Sequence, residues 1–301
     1  MELVERINRL RKEKNAVILA HNYQLPEVQD IADYVGDSLG LSVQASQTTA
    51  DVIVFCGVYF MAETAKILSP EKIVLIPDDK AGCPMADMIT ADQLRELKAK
   101  HPQAKVLCYV NTTAAVKAEC DICCTSGNAE QVVRKAFRKD DEIIFAPDRY
   151  LAHYVSSQVG RDFITWSGFC PTHARILPED IASQKARYPK AKVMAHPECA
   201  SDVLKLADRV LSTGGMLRYA GESADSEFIV CTEIGILHRL RKENPGKCFY
   251  PVSEYAVCPN MKRTTLEKVL WSLEEMGHEV TVPPDIMRQA AKSLQRMIDY
   301  I

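Results

Sequence analysis

Two things are missing from this 301-residue chain, and each absence removes a class of function. No uninterrupted apolar run approaches the roughly 20 residues that cross a bilayer as a helix, so no membrane partner is expected. Nor is there an excess of base: 37 Lys and Arg stand against 40 Asp and Glu, for a net charge of -3. A nucleic-acid partner calls for a basic stripe, and the cations here are scattered among acids, so a small-molecule ligand is expected instead. The first stretch, MELVERINRLRKEKN, reads as a charged amphipathic helix without the apolar stretch and cleavage site of a secretory signal. Together these features predict a soluble, cytoplasmic protein.

What the chain has in plenty is cysteine. Eleven thiols, odd in number and without a secretory context, do not suggest a disulfide framework, and some of them are expected to bind metal. The length calls for two or three compact units, each able to close a modest core. Short β-rich runs such as AVILAHN, DVIVFCG and KIVLIPD alternate with segments of helical spacing. That is the βαβ pattern of parallel sheets, and the fold class is α/β.

Self-comparison reveals a repeat. The run AVILAHNY, with His21 and Tyr23, returns as KVLCYVN, with Tyr109 and Asn111, and as KVMAHPE, with His196 and Glu198, at lags of 88 and 87 residues. Ser38, Ser126 and Thr213 recur at the same lags of 88 and 87. Each unit closes with a Cys-Pro pair, at Cys83, Cys170 and Cys258, spaced by 87 and 88 residues. A helix follows each pair, seen as ITADQLRELKAK, ILPEDIASQKAR and TTLEKVLWSLEE. A fourth opening, HEVTVPPD, and the helix after it read as a truncated strand-helix repeat that covers a sheet edge. The units are expected at 1–90, 91–177 and 178–277, with the tail at 278–301.

The repeated positions carry chemistry. In an open parallel sheet, ligands bind beyond the carboxyl ends of the strands, where helix N-termini offer free N–H groups. Three such units about a pseudo-threefold axis would aim three polar pairs and three Cys-Pro loops at one central cavity. Three thiolates suit a metal centre with one position open: zinc usually recruits a fourth ligand, whereas a [4Fe-4S] cluster on three cysteines leaves one iron free as a Lewis acid. Wide spacing favours the cluster, although duplicated strand ends also keep a cysteine by descent alone. The C-x-x-C formed by Cys120 and Cys123, next to Cys124, lacks the second close pair of a zinc site. Cys123 falls in register with Val35 and Val210, where buried secondary structure is expected, and so reads as structural. Cys56, Cys108, Cys199, Cys231 and Cys248 read as small core residues. Ser38, Ser126 and Thr213 each precede a helical run and read either as N-caps or, together, as an anion site. His21 and His196 read as core histidines when taken singly, and as acid-base groups beside Tyr23 and Glu198.

AHNYQLPEVQDIADYVGDSL, YVNTTAAVKAE, CCTSGNA, MAHPEC, VLSTGGM and VCPNMKRTTLEK resemble the signatures of the quinolinate synthase family over essentially the whole chain. The resemblance implies three homologous α/β repeats around a pseudo-threefold axis and a [4Fe-4S] cluster on Cys83, Cys170 and Cys258. It implies condensation of iminoaspartate with dihydroxyacetone phosphate to quinolinate, phosphate and water for NAD biosynthesis, with a functional link to L-aspartate oxidase. Substrate-binding positions carried over by motif are His21, Ser38, Tyr109, Val110, Asn111, Ser126, His196, Pro197, Glu198 and Thr213. Tyr23 matches the family's catalytic tyrosine, and Glu198 with His196 or Tyr23 is expected to move protons. Some members carry a close cysteine triplet near the third ligand; here Cys258 is followed by Pro259 and Asn260, and that feature is absent. Two other readings remain: a non-catalytic iron-sulfur or zinc redox sensor, and a cluster-free sugar-phosphate isomerase.

Overall fold

The computed structural model describes residues 2–300; Met1 and Ile301, the outermost residues of the first expected unit and of the tail, lie outside the described residues. The described residues form three parallel sheets of four strands. The first contains β1 (Ala16–His21), β2 (Tyr34–Gly36), β3 (Val52–Cys56) and β4 (Ile73–Leu75). The second contains β5 (Lys105–Tyr109), β6 (Ile122–Cys124), β7 (Ile143–Ala146) and β8 (Ile164–Thr165). The third contains β9 (Lys192–Ala195), β10 (Arg209–Val210), β11 (Glu227–Cys231) and β12 (Cys248–Pro251). Strand order is β2-β1-β3-β4 in the first sheet, and the other two repeat it as β6-β5-β7-β8 and β10-β9-β11-β12. The α/β class and its threefold internal repetition therefore hold.

The central strands are apolar along their whole length because helices cover both faces: every residue of Val52–Cys56 and Ile143–Ala146 is buried. The position shared by Val35, Cys123 and Val210 lies in β2, β6 and β10, as the register predicts, although only Cys123 is fully buried. After each Cys-Pro pair the chain makes a short 3₁₀ turn, at Ala86–Met88, His173–Arg175 and Met261–Arg263. The expected helices then follow, at Ala91–Lys100, Pro178–Arg187 and Leu266–Glu275. Local chemistry sets where they start. Thr90 Oγ1 accepts from Gln93 N while Gln93 Oε1 accepts from Thr90 N, a capping box, and Pro178 occupies the first turn of the second helix.

The tail meets the edge strand β4 and then forms a helix, but its opening run is shorter than a strand. In place of an opening strand, HEVTVPPD makes one antiparallel bridge, between Glu279 and Leu75, with Val280 N donating to Val74 O at 2.8 Å. Pro283 and Pro284 have no N–H to extend a ladder and start the helix Pro284–Ile298 instead. That helix leaves the first sheet's edge and lies on the second repeat, where Ser293 Oγ donates to Lys117 O at 2.9 Å. Among the described residues, no helix is long and apolar enough to cross a membrane.

Candidate active site

The carboxyl ends of strands from all three sheets border one cavity. His21 and Tyr109 are the last residues of β1 and β5, and His196 follows the last residue of β9. Around this cavity the fold gathers His21, Tyr23 and Ser38 from the first repeat and Tyr109, Asn111 and Ser126 from the second. The third repeat adds His196, Glu198 and Thr213, and the three Cys-Pro cysteines complete the wall. Val110 and Pro197 are buried beside it without lining it.

Two repeats place their histidine in the same way. Tyr23 N donates to His21 Nδ1 at 3.2 Å, and Glu198 N donates to His196 Nδ1 at 3.3 Å. An Nδ1 that accepts leaves the ring proton on Nε2, so both imidazoles can donate to a ligand. Burial lowers each histidine to about 3, outweighing the opposing Glu198 charge, so both rings are neutral near pH 7.

A continuous hydrogen-bond path crosses the cavity wall. Tyr23 Oη lies 2.5 Å from Thr232 Oγ1, which lies 2.8 Å from His173 Nε2. His173 Nδ1 lies 2.8 Å from Glu198 Oε2, and Tyr109 Oη donates to Glu198 Oε1 at 2.5 Å. All five side chains are buried. Burial alone would raise the Glu198 carboxyl, but the charge of His173 beside it and hydrogen bonds from His173 and Tyr109 lower it overall. Burial, then the Glu198 charge, raises both tyrosines, which stay protonated as donors. Buried Asn111 Oδ1 has no hydrogen-bond partner among the described residues and belongs to a residue that borders the same space, leaving an acceptor for a ligand.

The three hydroxyls are not N-caps, a correction to one of the two sequence readings. Asp37 caps the helix Ser38–Gln47 by accepting from Gly40 N, and Ser212 caps Thr213–Glu222 by accepting from Gly215 N. Before Ala129–Ala136, Asn128 Oδ1 turns back to accept from Thr125 N at 2.8 Å. At the first and third sites a neighbour caps the helix and Ser38 and Thr213 open it beside the cavity, whereas Ser126 lies in the turn before Ala129–Ala136, whose start carries no side-chain cap, and borders the same cavity. Thr213 Oγ1 also accepts from Asn22 Nδ2 at 3.0 Å.

Cys83, Cys170 and Cys258 each begin a turn whose backbone N–H groups fold back toward the sulfur. The donors are Ala86 and Met85 to Cys83, His173 to Cys170, and Met261 and Asn260 to Cys258. Burial pushes the Cys83 thiol up to about 12 and raises the other two, so the thiolate form calls for a bound cation. This donor set fits a metal cofactor. A second metal-competent group overlaps it: donor atoms of Cys170, His173 and Glu198 lie within 4.8 Å of one another. Among the described residues, the three cysteine sulfurs do not close to that spacing.

The remaining thiols lie elsewhere. Cys123 pairs in register with Cys108 across β5 and β6 and donates to Ser293 Oγ, and Cys120 donates to Val116 O. Neither borders the cavity. Cys56, Cys108, Cys199 and Cys231 are buried, as expected, but Cys248 is exposed because it opens the edge strand β12.

Sequence reasoning missed His173, Thr232, Glu233 and Lys262. His173 occupies the register of Ala86 and Met261, so a lone polar residue among apolar equivalents was the available signal. Thr232 and Glu233 directly follow β11, where the strand-end rule applies as it does at His21.

The chain matches a family model described as quinolinate synthetase A protein over residues 5–299. It is 59% identical over 293 residues to a quinolinate synthase from Dehalococcoides mccartyi, covering 97% of this chain and 96% of that protein. A quinolinate synthase from Methanosarcina barkeri is 55% identical over 297 residues, covering 99% and 97% of the two chains. One from Thermodesulfovibrio yellowstonii is 52% identical over 299 residues, covering 99% and 98%.

Proposed function

The chain belongs to the quinolinate synthase family, and we propose that its cavity condenses iminoaspartate with dihydroxyacetone phosphate, releasing phosphate and two waters to leave quinolinate for NAD biosynthesis. It is an enzyme that makes quinolinate. The observation that carries this reading is convergence: polar strand ends, hydroxyls at helix starts and Cys-Pro turns from three sheets meet at one cavity.

Cys83, Cys170 and Cys258 are the proposed ligands of a [4Fe-4S] cluster. Three thiolates, one from each repeat, suit a cluster that leaves one iron without a protein ligand. When bound, a cluster with one iron free of protein ligands supplies a Lewis acid for hydroxyl and carboxylate oxygens. Backbone N–H groups directed at the sulfurs stabilise the thiolate charge.

The chain's own residues do the rest. Nε2–H of His21 and His196 and the hydroxyls of Ser38, Ser126 and Thr213 hold carboxylate and phosphate oxygens, while Asn111 Oδ1 accepts from a ligand N–H or O–H. The path from Tyr23 through Thr232 and His173 to Glu198 moves a proton between Tyr23 Oη and the Glu198 carboxylate without exposing either to solvent. Tyr109 keeps one Glu198 oxygen fixed while the other serves His173. The reaction is placed in the cytoplasm, with L-aspartate oxidase as the source of iminoaspartate. The experiment is anaerobic turnover: protein reconstituted with iron and sulfide should form quinolinate from in situ iminoaspartate and dihydroxyacetone phosphate, and the metal-free protein should not. A reconstituted protein that forms none would sink the reading.

A further inference from the structure

We propose that Glu233 and Lys262 form a positioning clamp that sets the Cys258 turn and the Tyr23 backbone in one register; this rests on the reading of Cys258 as a cluster ligand. The Glu233 side chain is fully buried, two residues past the end of β11. Its Oε1 accepts from Cys258 N at 3.2 Å and its Oε2 from Gly235 N at 2.7 Å. Lys262 Nζ lies 2.9 Å from Oε1 and 3.1 Å from Oε2, and donates to Tyr23 O at 2.5 Å. One ammonium thus joins the third repeat's cysteine turn to the first repeat's tyrosine. The ammonium is spent on Glu233 and the Tyr23 carbonyl, and it does not line the cavity.

The packing around the pair is specific. A Cβ at Gly235 would meet Lys262 Nζ at 2.7 Å, Glu233 Oε2 at 2.8 Å and the Tyr23 carbonyl carbon at 2.8 Å, so only glycine fits. The equivalent strand-end positions are Val58 in the first repeat and Asp148 in the second. Asp148 is one methylene shorter and spends its Oδ1 on its own helix, accepting from Tyr150 N and Leu151 N. Among the described residues, Cys258 is the only one of the three cysteines whose backbone N–H is held by a side chain. The next residue, Arg263, reaches the other way, to Asp78, five residues before Cys83. Neighbouring cations therefore tie the third cysteine turn to the Tyr23 segment and to the loop that leads into Cys83.

A buried pair of this kind acts on what its members hold, because either residue alone leaves an uncompensated group. Glutamine at 233 offers one carbonyl oxygen to two backbone donors and so must release Cys258 N or Gly235 N. The test uses full-length protein reconstituted anaerobically as wild type, Glu233→Gln, Lys262→Met and the double variant. Iron release to a chelator, the electron paramagnetic resonance of the reduced protein and melting of the metal-free form are measured in each. Iron release should be at least about tenfold faster in both single variants, with an altered spectrum. The double variant should be no worse than the poorer single one, because the two act as a unit. Lys262→Arg covers the case in which an uncharged variant fails to fold; its planar fork cannot serve Glu233 and the Tyr23 carbonyl from the ammonium's position, so it too should release iron faster. Wild-type release rates and spectra in the soluble variants, or effects that multiply in the double, overturn the clamp. Cys258→Ser runs alongside: full iron content there would remove the underlying ligand assignment instead.

Discussion

His21 and His196 enter the cavity as neutral imidazoles, and that makes stability depend on pH. Each is lowered to about 3 in the folded chain, against an ordinary value near 6.5 when unfolded. Below pH 6.5 the unfolded state therefore binds more protons, and stability falls as pH falls, by up to about 1.4 kcal/mol per pH unit for each histidine. The melting temperature of the metal-free protein should drop between pH 7 and 5; a flat profile there would mean that the rings are not buried neutral. Glu198 occupies the opposite state, an ionised carboxylate between His173 and Tyr109. Glu198→Gln should keep its iron and lose at least about a hundredfold in turnover, as expected for a proton-transfer group. Near-normal turnover would take Glu198 out of the path. Neither Ser126 nor Thr213 caps a helix, so the alanine variants should melt within about 1 kcal/mol of wild type, even with the loss of the Asn22 bond at Thr213. Quinolinate should bind each of them at least about tenfold more weakly, with iron unchanged, because hydrogen bonds to anions are the stronger kind. Unaltered affinity by titration would retire the anion site.

At the scale of elements, the cysteine turns matter more than the strands that precede them. Gly168, two residues before Cys170, donates no side chain, and its backbone pairs with Asp148 while its carbonyl accepts from Arg149 N at 2.9 Å. A Cβ there would lie 2.5 Å from Pro147 O, a backbone atom that cannot swing aside. Gly168→Ala should therefore cost about 1–3 kcal/mol in urea unfolding of the metal-free protein. An unchanged unfolding midpoint would show that this turn has slack. By contrast, Cys120→Ser combined with Cys123→Ser alters β6 and its flank, away from the cavity, and should leave iron content nearly intact. Loss of iron from the folded double variant would mean that the ligands lie among those thiols.

For the whole molecule, the repeat in the sequence made the architecture legible. Strands β1, β5 and β9 and the Cys-Pro turns are carried by runs long enough to keep their apolar pattern and their register. Short β2, β6 and β10 offer only two or three residues each, too few for periodicity, and emerged only through the lag of Cys123 with Val35 and Val210. The tail's apolar HEVTV looked like a fourth strand because pattern alone cannot show that two prolines stop the ladder from extending. Within the site, residues that recur in register were readable, and residues that break the repeat were not. His173 and Glu233 differ from their equivalents, and their roles depend on contacts between repeats that no lag reveals.

Three cysteines, one from each repeat, are proposed to hold a single cluster. The most direct measurement is iron and sulfide per chain after anaerobic reconstitution of wild type and of Cys83→Ser, Cys170→Ser and Cys258→Ser. Wild type should hold about four of each, and every single variant should lose most of both while the chain remains folded. Full iron and sulfide in any one of the three folded variants would contradict it.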